Sequence, residues 1–238
     1  MKAKQIPPNL VTLTSLVAAL LALQAAHTGN YSVAAWLIAL SIVCDGLDGK
    51  LARALGSSTR FGAEFDSLAD FVAFGVVPGF LAWQVGLHSL GALGAVVAIA
   101  FVVAGGLRLA RFNIKNDDLE TKRPFEGLPI PSAAGMVASL VLLQRHIAMP
   151  HANVWLLVAT GITALLMVSS IEYPPIDKKY KNSPLAWVLR AAALAALVLA
   201  VWFAPHVFFC VMTLYVSWGL LRRIYCLFRQ SDPDLEQD

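Results

Sequence analysis

Long apolar runs broken by short polar or glycine-containing connections dominate this chain. A helix rises 1.5 Å per residue, so about 20 apolar residues cross the hydrocarbon core of a bilayer. Eight segments have that character: 9–27, 31–55, 65–86, 89–112, 128–147, 151–171, 185–204 and 206–226. Only Pro205 and His206 divide the last two. The pattern predicts an all-α, polytopic membrane helix bundle of about eight transmembrane helices. It forms one membrane domain over residues 1–229, and residues 230–238 form a short disordered cytoplasmic tail. Lys2 and Lys4 before the first apolar run look like a secretory leader, but the run is too long and lacks a clean Ala-x-Ala site, so it is read as a span.

Polar positions between the spans are unevenly distributed. The connections near 27–31, 86–90, 148–151 and 204–206 carry no Lys or Arg. The opposite set holds nearly all the positive charge, from Lys2 and Lys4 through Lys50, Arg53 and Arg60, Arg108 to Arg123, and Lys178 to Lys181, to Arg222, Arg223 and Arg229. Arg145 is the clear exception. Short basic loops stay cytoplasmic, which puts both termini inside.

Composition agrees with the pattern. The 238 residues are 58% hydrophobic and 14% charged, where a soluble domain is about 45–50% apolar and about 25% charged. A net charge of +3 with no soluble basic domain argues against nucleic acid as a partner. Cys44, Cys210 and Cys226 are far apart and form no metal or disulfide motif. The five histidines fall on the outer side, away from the acidic residues described next, and Lys178, Lys179 and Lys181 suit anionic headgroups.

Against this background Asp45, Asp48, Asp66 and Asp70 stand out. Ionisable groups in spanning segments are costly and mark ion sites, proton paths or catalytic centres. Asp45 and Asp48 are three apart, and Asp66 and Asp70 four apart, so each pair shares one helical face. Gly49 and Ala52 extend the first face and Gly62 the second. A turn around Gly56, Ser57 and Ser58 lets the two acidic faces oppose each other. Four such carboxylates call for neutralisation by one or two divalent cations, and all-oxygen ligands favour Mg²⁺, Mn²⁺ or Ca²⁺ over zinc. The small residues either admit a phosphate close to the backbone or pack helices. Arg53 and Arg60 either contact phosphate or anchor the loop at the interface.

The pattern Asp45-x2-Asp48-Gly49-x2-Ala52-Arg53-x8-Gly62-x3-Asp66-x3-Asp70 resembles, without a mismatch, the signature of the CDP-alcohol phosphotransferase family. The resemblance implies transfer of a phosphatidyl or similar group from a CDP-linked donor to an alcohol, with release of CMP. It implies two divalent cations, Mg²⁺ or Mn²⁺, on Asp45, Asp48, Asp66 and Asp70, with Asp70 also the general base. It assigns Asn9, Thr12, Gly49, Ala52, Arg53 and Gly62 to the nucleotide donor, and it suggests a homodimer. Pro8-Asn9-x2-Thr12 matches the family's entry to the first helix, although Ser15 stands where many members have Asn.

Two further segments, Arg108 to Asn113 and Phe125 to Ala134, resemble the phosphatidylserine synthase branch of that family. They imply CDP-diacylglycerol as donor and L-serine as acceptor. Arg108 and Arg111, one turn apart, are candidate contacts for the serine carboxylate or lipid phosphate, or interfacial anchors; Arg60 and Asn113 are further candidates. Pro129 and Pro131 shape a pocket entrance or simply start a helix. Together these features point to a bacterial inner-membrane enzyme with its site facing the cytoplasm, among membrane lipids. The rivals are another acceptor (glycerol 3-phosphate, inositol phosphate or choline) and an ion or proton transporter that uses the aspartates as its relay.

Overall fold

A computed structural model describes residues 6–55, 59–117, 127–171, 205–219 and 221, all of them helical or connecting segments, with no strand among them. Helix α1 spans Ile6–His27, α2 Tyr31–Leu55 and α3 Arg60–Asp70. A π-helical turn, Phe71–Val76, leads directly into α4, Val77–Val85. A 3₁₀ turn, Leu87–Leu90, precedes α5, Gly91–Asp117; α6 is Ile130–His146 and α7 Ala152–Val168. Residues 205–219 form a further helix, α8. The expected span 185–204, the loop from Lys178 to Lys181 and the tail 230–238 lie outside the described residues.

Among the described residues, four helical stretches are long and apolar enough to cross a membrane: Asn9–His27, Tyr31–Asp48, Arg60–Val85 and Leu87–Ile114. Helices α6 and α7, expected as full spans, have 17 residues each. At 1.5 Å per residue that is about 26 Å, roughly one turn short of the hydrocarbon thickness. The third span also begins earlier than the apolar run suggests. Thr59 caps α3 by accepting from the Gly62 N–H at 3.1 Å, so the helix starts among polar residues well before Phe65.

The outer surface is apolar in helical stripes. Val33, Trp36, Leu40, Val43 and Leu47 are exposed along one face of α2, three and four residues apart, and Leu93, Val96, Ile99, Val103 and Leu107 repeat the pattern on α5. Stripes of that extent on several helices suit a bilayer rather than water. Inside, the packing residues are small. Ala19, Ala22 and Ala26 of α1 meet Ala34, Ala35 and Ile38 of α2 in one buried cluster, as close-packed membrane helices require. Ser15 and Ser41 clasp the same pair, each hydroxyl donating to the other's carbonyl at 3.3 and 3.0 Å. Helix α6 is buried along nearly its whole length, from Ile130 to Leu143. It packs against α2, α4 and α7 and forms the centre of the bundle.

The helices run up and down, so their ends gather in two groups. Residue 9 of α1, the last turns of α2, the start of α3, the end of α5 and the start of α6 lie at one end. At the other, the Arg145 guanidinium lies over the Tyr31 ring at 5.2 Å, and His146 meets His206 edge to face at 6.2 Å. Asn153 donates to Ser89 there at 2.7 Å. The histidines that appear in these contacts are thus remote from the aspartates, as the sequence reading places them.

Candidate active site

Three helices bring the acidic residues together. Asp45 and Asp48 come from one face of α2 and Asp66 from α3, and one carboxylate oxygen of each lies within 4.8 Å of the others. Helix α1 is the shared neighbour, packing along α2 and against α3, the π turn and α4. The acidic faces of α2 and α3 therefore oppose each other, with α1 packed alongside both. Thr12 on α1 donates to Asp48 Oδ2 at 2.9 Å within the buried interior. Asp48 is 4% exposed, so its charge depends on such partners.

Asp70 stands apart from the three-carboxylate group but within electrostatic reach of Asp45, Asp48, Asp66 and Arg108. It is the last residue of α3, ten residues and about 15 Å along the rod from Arg60. The helix changes to π geometry at the next residue, a departure often found at functional sites. Phe71 is wedged there. Its ring carbons sit 3.3 Å and 3.2 Å from where a Cβ would stand on Gly75 and Gly106. Only glycine at both positions lets the ring in this close, and Gly106 is two residues before Arg108. The same antiparallel pairing of α3 with α5 continues one turn earlier. Asn113 donates to Ser67 Oγ at 3.0 Å, and Ser67 donates back to Asn113 Oδ1 at 3.3 Å.

The four basic and amide candidates thus take different places. Arg108 lies within electrostatic range of Asp70 and Asp45, and its guanidinium lies over the Phe112 ring at 5.4 Å. Asn113 is paired with Ser67. Arg111 donates to the Val168 carbonyl at the end of α7, 3.2 Å away. Arg60 is exposed in the first turn of α3. Pro131 occupies the first turn of α6, the ordinary place for proline at a helix start.

Asn9 and Gly62 meet at the rim. A Cβ on Gly62 would stand 3.2 Å from Asn9 Oδ1 and 3.1 Å from Thr59 Oγ1, so glycine keeps this corner open. Gly49, Ala52 and Arg53 lie on the last turns of α2, and their side chains are outside the described residues, as are Gly56, Ser57 and Ser58. Two buried polar atoms of the site, Asn9 Nδ2 and Asp66 Oδ1, have no hydrogen-bond partner among the described residues. Buried polar atoms are ordinarily paired, so a donor and an acceptor left bare here fit a site that a ligand completes. Three converging carboxylates with a bare oxygen are the donor set of a hard divalent cation and could hold one.

One participant was not legible in the sequence. Tyr215 of α8, half-buried, lies beside Ser132 in the first turn of α6, where Met212 and Thr213 of α8 pack on Gly135 and Met136. Nothing in its neighbourhood, a run of apolar residues in the C-terminal third, signals a role. Only the packing of α8 on α6 reveals it.

Comparison with known proteins agrees with this geometry. The sequence model of the CDP-alcohol phosphatidyltransferase family matches residues 5–171. A CDP-diacylglycerol–serine O-phosphatidyltransferase of Helicobacter pylori is 36% identical over 231 residues, covering 93% of this chain and 92% of its own. Proteins of the same name from Methanocaldococcus jannaschii and Bacillus subtilis are each 36% identical, over 79% and 72% of this chain and 83% and 91% of theirs.

Proposed function

Since the chain belongs to the CDP-alcohol phosphatidyltransferase family, we propose that it transfers the phosphatidyl group of CDP-diacylglycerol to the hydroxyl of L-serine, giving phosphatidylserine and CMP. The observation that carries this reading is the three-carboxylate group with Asp70 and Arg108 beside it. The names of the relatives supply the donor and acceptor.

Asp45, Asp48 and Asp66 would hold the divalent cations, Mg²⁺ or Mn²⁺, whose charge when bound would neutralise the donor's diphosphate and make its phosphorus more electrophilic. Thr12 keeps Asp48 in the orientation needed for ligation. The bare Asn9 amide and the open corner at Gly62 receive the nucleotide, with Gly49, Ala52 and Arg53 on the facing turns of α2. Arg108 holds the serine carboxylate, a pairing a guanidinium makes well. Asp70 accepts the proton of the serine hydroxyl as that oxygen attacks the phosphorus bearing the diacylglycerol. The new O–P bond forms as the bond to the CMP phosphate breaks, and its electron pair leaves on CMP.

The site end is cytoplasmic in this reading, because Lys50, Arg53, Arg60, Arg108 and Arg111 cluster there and Arg145 alone marks the far end. The diacylglycerol tails stay in the bilayer, and the enzyme works as a homodimer.

The test incubates purified protein with CDP-diacylglycerol, Mg²⁺ or Mn²⁺ and a panel of labelled alcohols, and identifies the lipid product. Serine is the expected acceptor, and chelation is expected to stop the reaction. Transfer to glycerol 3-phosphate with none to serine overturns the acceptor. In the same assay Asp70→Asn should lower turnover at least about 100-fold, the usual scale of a general base, while the protein still binds CMP. Near-normal turnover in that variant removes Asp70 as the base.

A further inference from the structure

Helix α3 carries Asp66 and Asp70, yet little packing holds it. Ala69 is its only buried residue, and Phe61 and Leu68 are largely exposed. Its backbone packs against α1 and runs on into the π turn, but makes no comparable approach to α2 or α5. Apolar burial therefore does little to set the rotation of α3 about its own axis. The site is sensitive to that rotation. One carboxylate oxygen of Asp66 lies within 4.8 Å of those of Asp45 and Asp48, and turning the helix would carry it away.

Two side-chain contacts with α5 pin the helix instead. A ring carbon of Phe71 sits 3.2 Å from where a Cβ would stand on Gly106. Four residues earlier, one turn back on the same face, Ser67 meets Asn113. The Asn113 amide donates to Ser67 Oγ at 3.0 Å, and Ser67 donates to Asn113 Oδ1 at 3.3 Å. Gly106 and Asn113 are seven apart, two turns along one face of α5. Both ends of the Asn113 amide are thus engaged by a single hydroxyl, a kind of bond that joins helices in membranes. Asp66 directly precedes Ser67, and Asp70 directly precedes Phe71. The acidic face is the pinned face turned by one residue, about 100°. Holding one holds the other.

We infer that the Ser67–Asn113 pair positions the acidic face of α3, keeping Asp66 against Asp45 and Asp48 and Asp70 at the acceptor hydroxyl. Asn113 is a positioning residue and touches no substrate; it acts only through Ser67. This rests on the proposed roles of Asp66 as a metal ligand and Asp70 as the base.

The test uses the purified full chain carrying Ser67→Ala, Asn113→Ala or both. Mn²⁺ is titrated without substrate and followed by the loss of the free-ion electron paramagnetic resonance signal, and transfer is then measured with L-serine varied. Each single variant should bind Mn²⁺ about tenfold more weakly, the scale on which a metal ligand loses affinity when its support is removed. The kcat at saturating Mn²⁺ should fall about tenfold, with the KM for serine within about twofold of wild type. The double variant should be within about twofold of the worse single one, because both changes break the same contact. A serine KM raised by Asn113→Ala while Ser67→Ala is silent makes Asn113 a substrate contact and overturns the inference. Losses that multiply in the double variant, or Mn²⁺ binding and kcat unaltered in both singles, overturn it as well. So does a lowered melting temperature in detergent with Mn²⁺ affinity unchanged, which leaves the pair a purely structural bond. A wild type that binds no Mn²⁺, or transfers nothing to serine, defeats the proposed function itself, whatever the variants do.

Discussion

At the scale of single residues, the site is a set of charges whose neighbours decide what they can do. Asp48 is nearly sealed from solvent and holds a hydrogen bond from Thr12; Asp66 keeps one oxygen bare. Groups behind a ligand orient it, and losing one typically costs about 10–100-fold in metal affinity. Thr12→Val, nearly the same shape without the hydroxyl, should therefore raise the Mg²⁺ or Mn²⁺ concentration needed for half-maximal activity by at least about tenfold. Activity at saturating metal should largely recover, and a metal titration of the two proteins reads this directly. The acidic residues were legible from spacing alone, because i, i+3 and i, i+4 intervals put pairs of carboxylates on one face of a helix where the bilayer penalises even one. The partners were less so. Asn113 reads equally as a helix cap or a substrate contact until its pairing with Ser67 is seen. Tyr215 comes beside Ser132 only through the packing of α8 on α6.

At the scale of elements, the long apolar runs fixed where helices lie, but not how they are interrupted. Nothing in Phe71–Val76 announces a π turn, since the segment has no proline and its glycine is ordinary in membrane helices. Its cause is tertiary: Phe71 occupies a hollow that Gly75 and Gly106 leave open. The turn also sets the angle between Asp70 and the rest of the rod. Deleting Val72 removes one residue and rotates everything before it by about 100° relative to α4. Such a variant should still reach the membrane but lose nearly all transfer. Substituting Val72 with Ala, which keeps the turn's length, should retain most of it. Comparing the two in membrane fractions separates rotation from mere loss of a side chain.

For the molecule as a whole, the bundle has one acidic, partly basic end and one end of histidine, tyrosine and small polar contacts. The orientation proposed above makes these ends distinguishable from outside the cell. In a background where Cys44, Cys210 and Cys226 are replaced, a cysteine at His151 should react with a membrane-impermeant thiol reagent on intact cells. A cysteine at Thr59 should react only after the cells are opened. The reverse pattern would place the site on the outer face. Up-and-down packing was readable from alternating loop charge. The short α6 and α7 were not, because apolar length alone does not say where a buried helix starts and stops.

The site draws on residues far apart in the chain, Asn9 on α1, the acids of α2 and α3, and Arg108 on α5. A ribosome making about 5–20 residues per second takes on the order of 10–30 s to go from Asp70 to Tyr215. Through the first part of that interval the paired acids have entered the bilayer with no cation from α5 beside them. Birth of the protein therefore passes through an acidic, half-built stage that lasts until α5 brings Arg108 to the site.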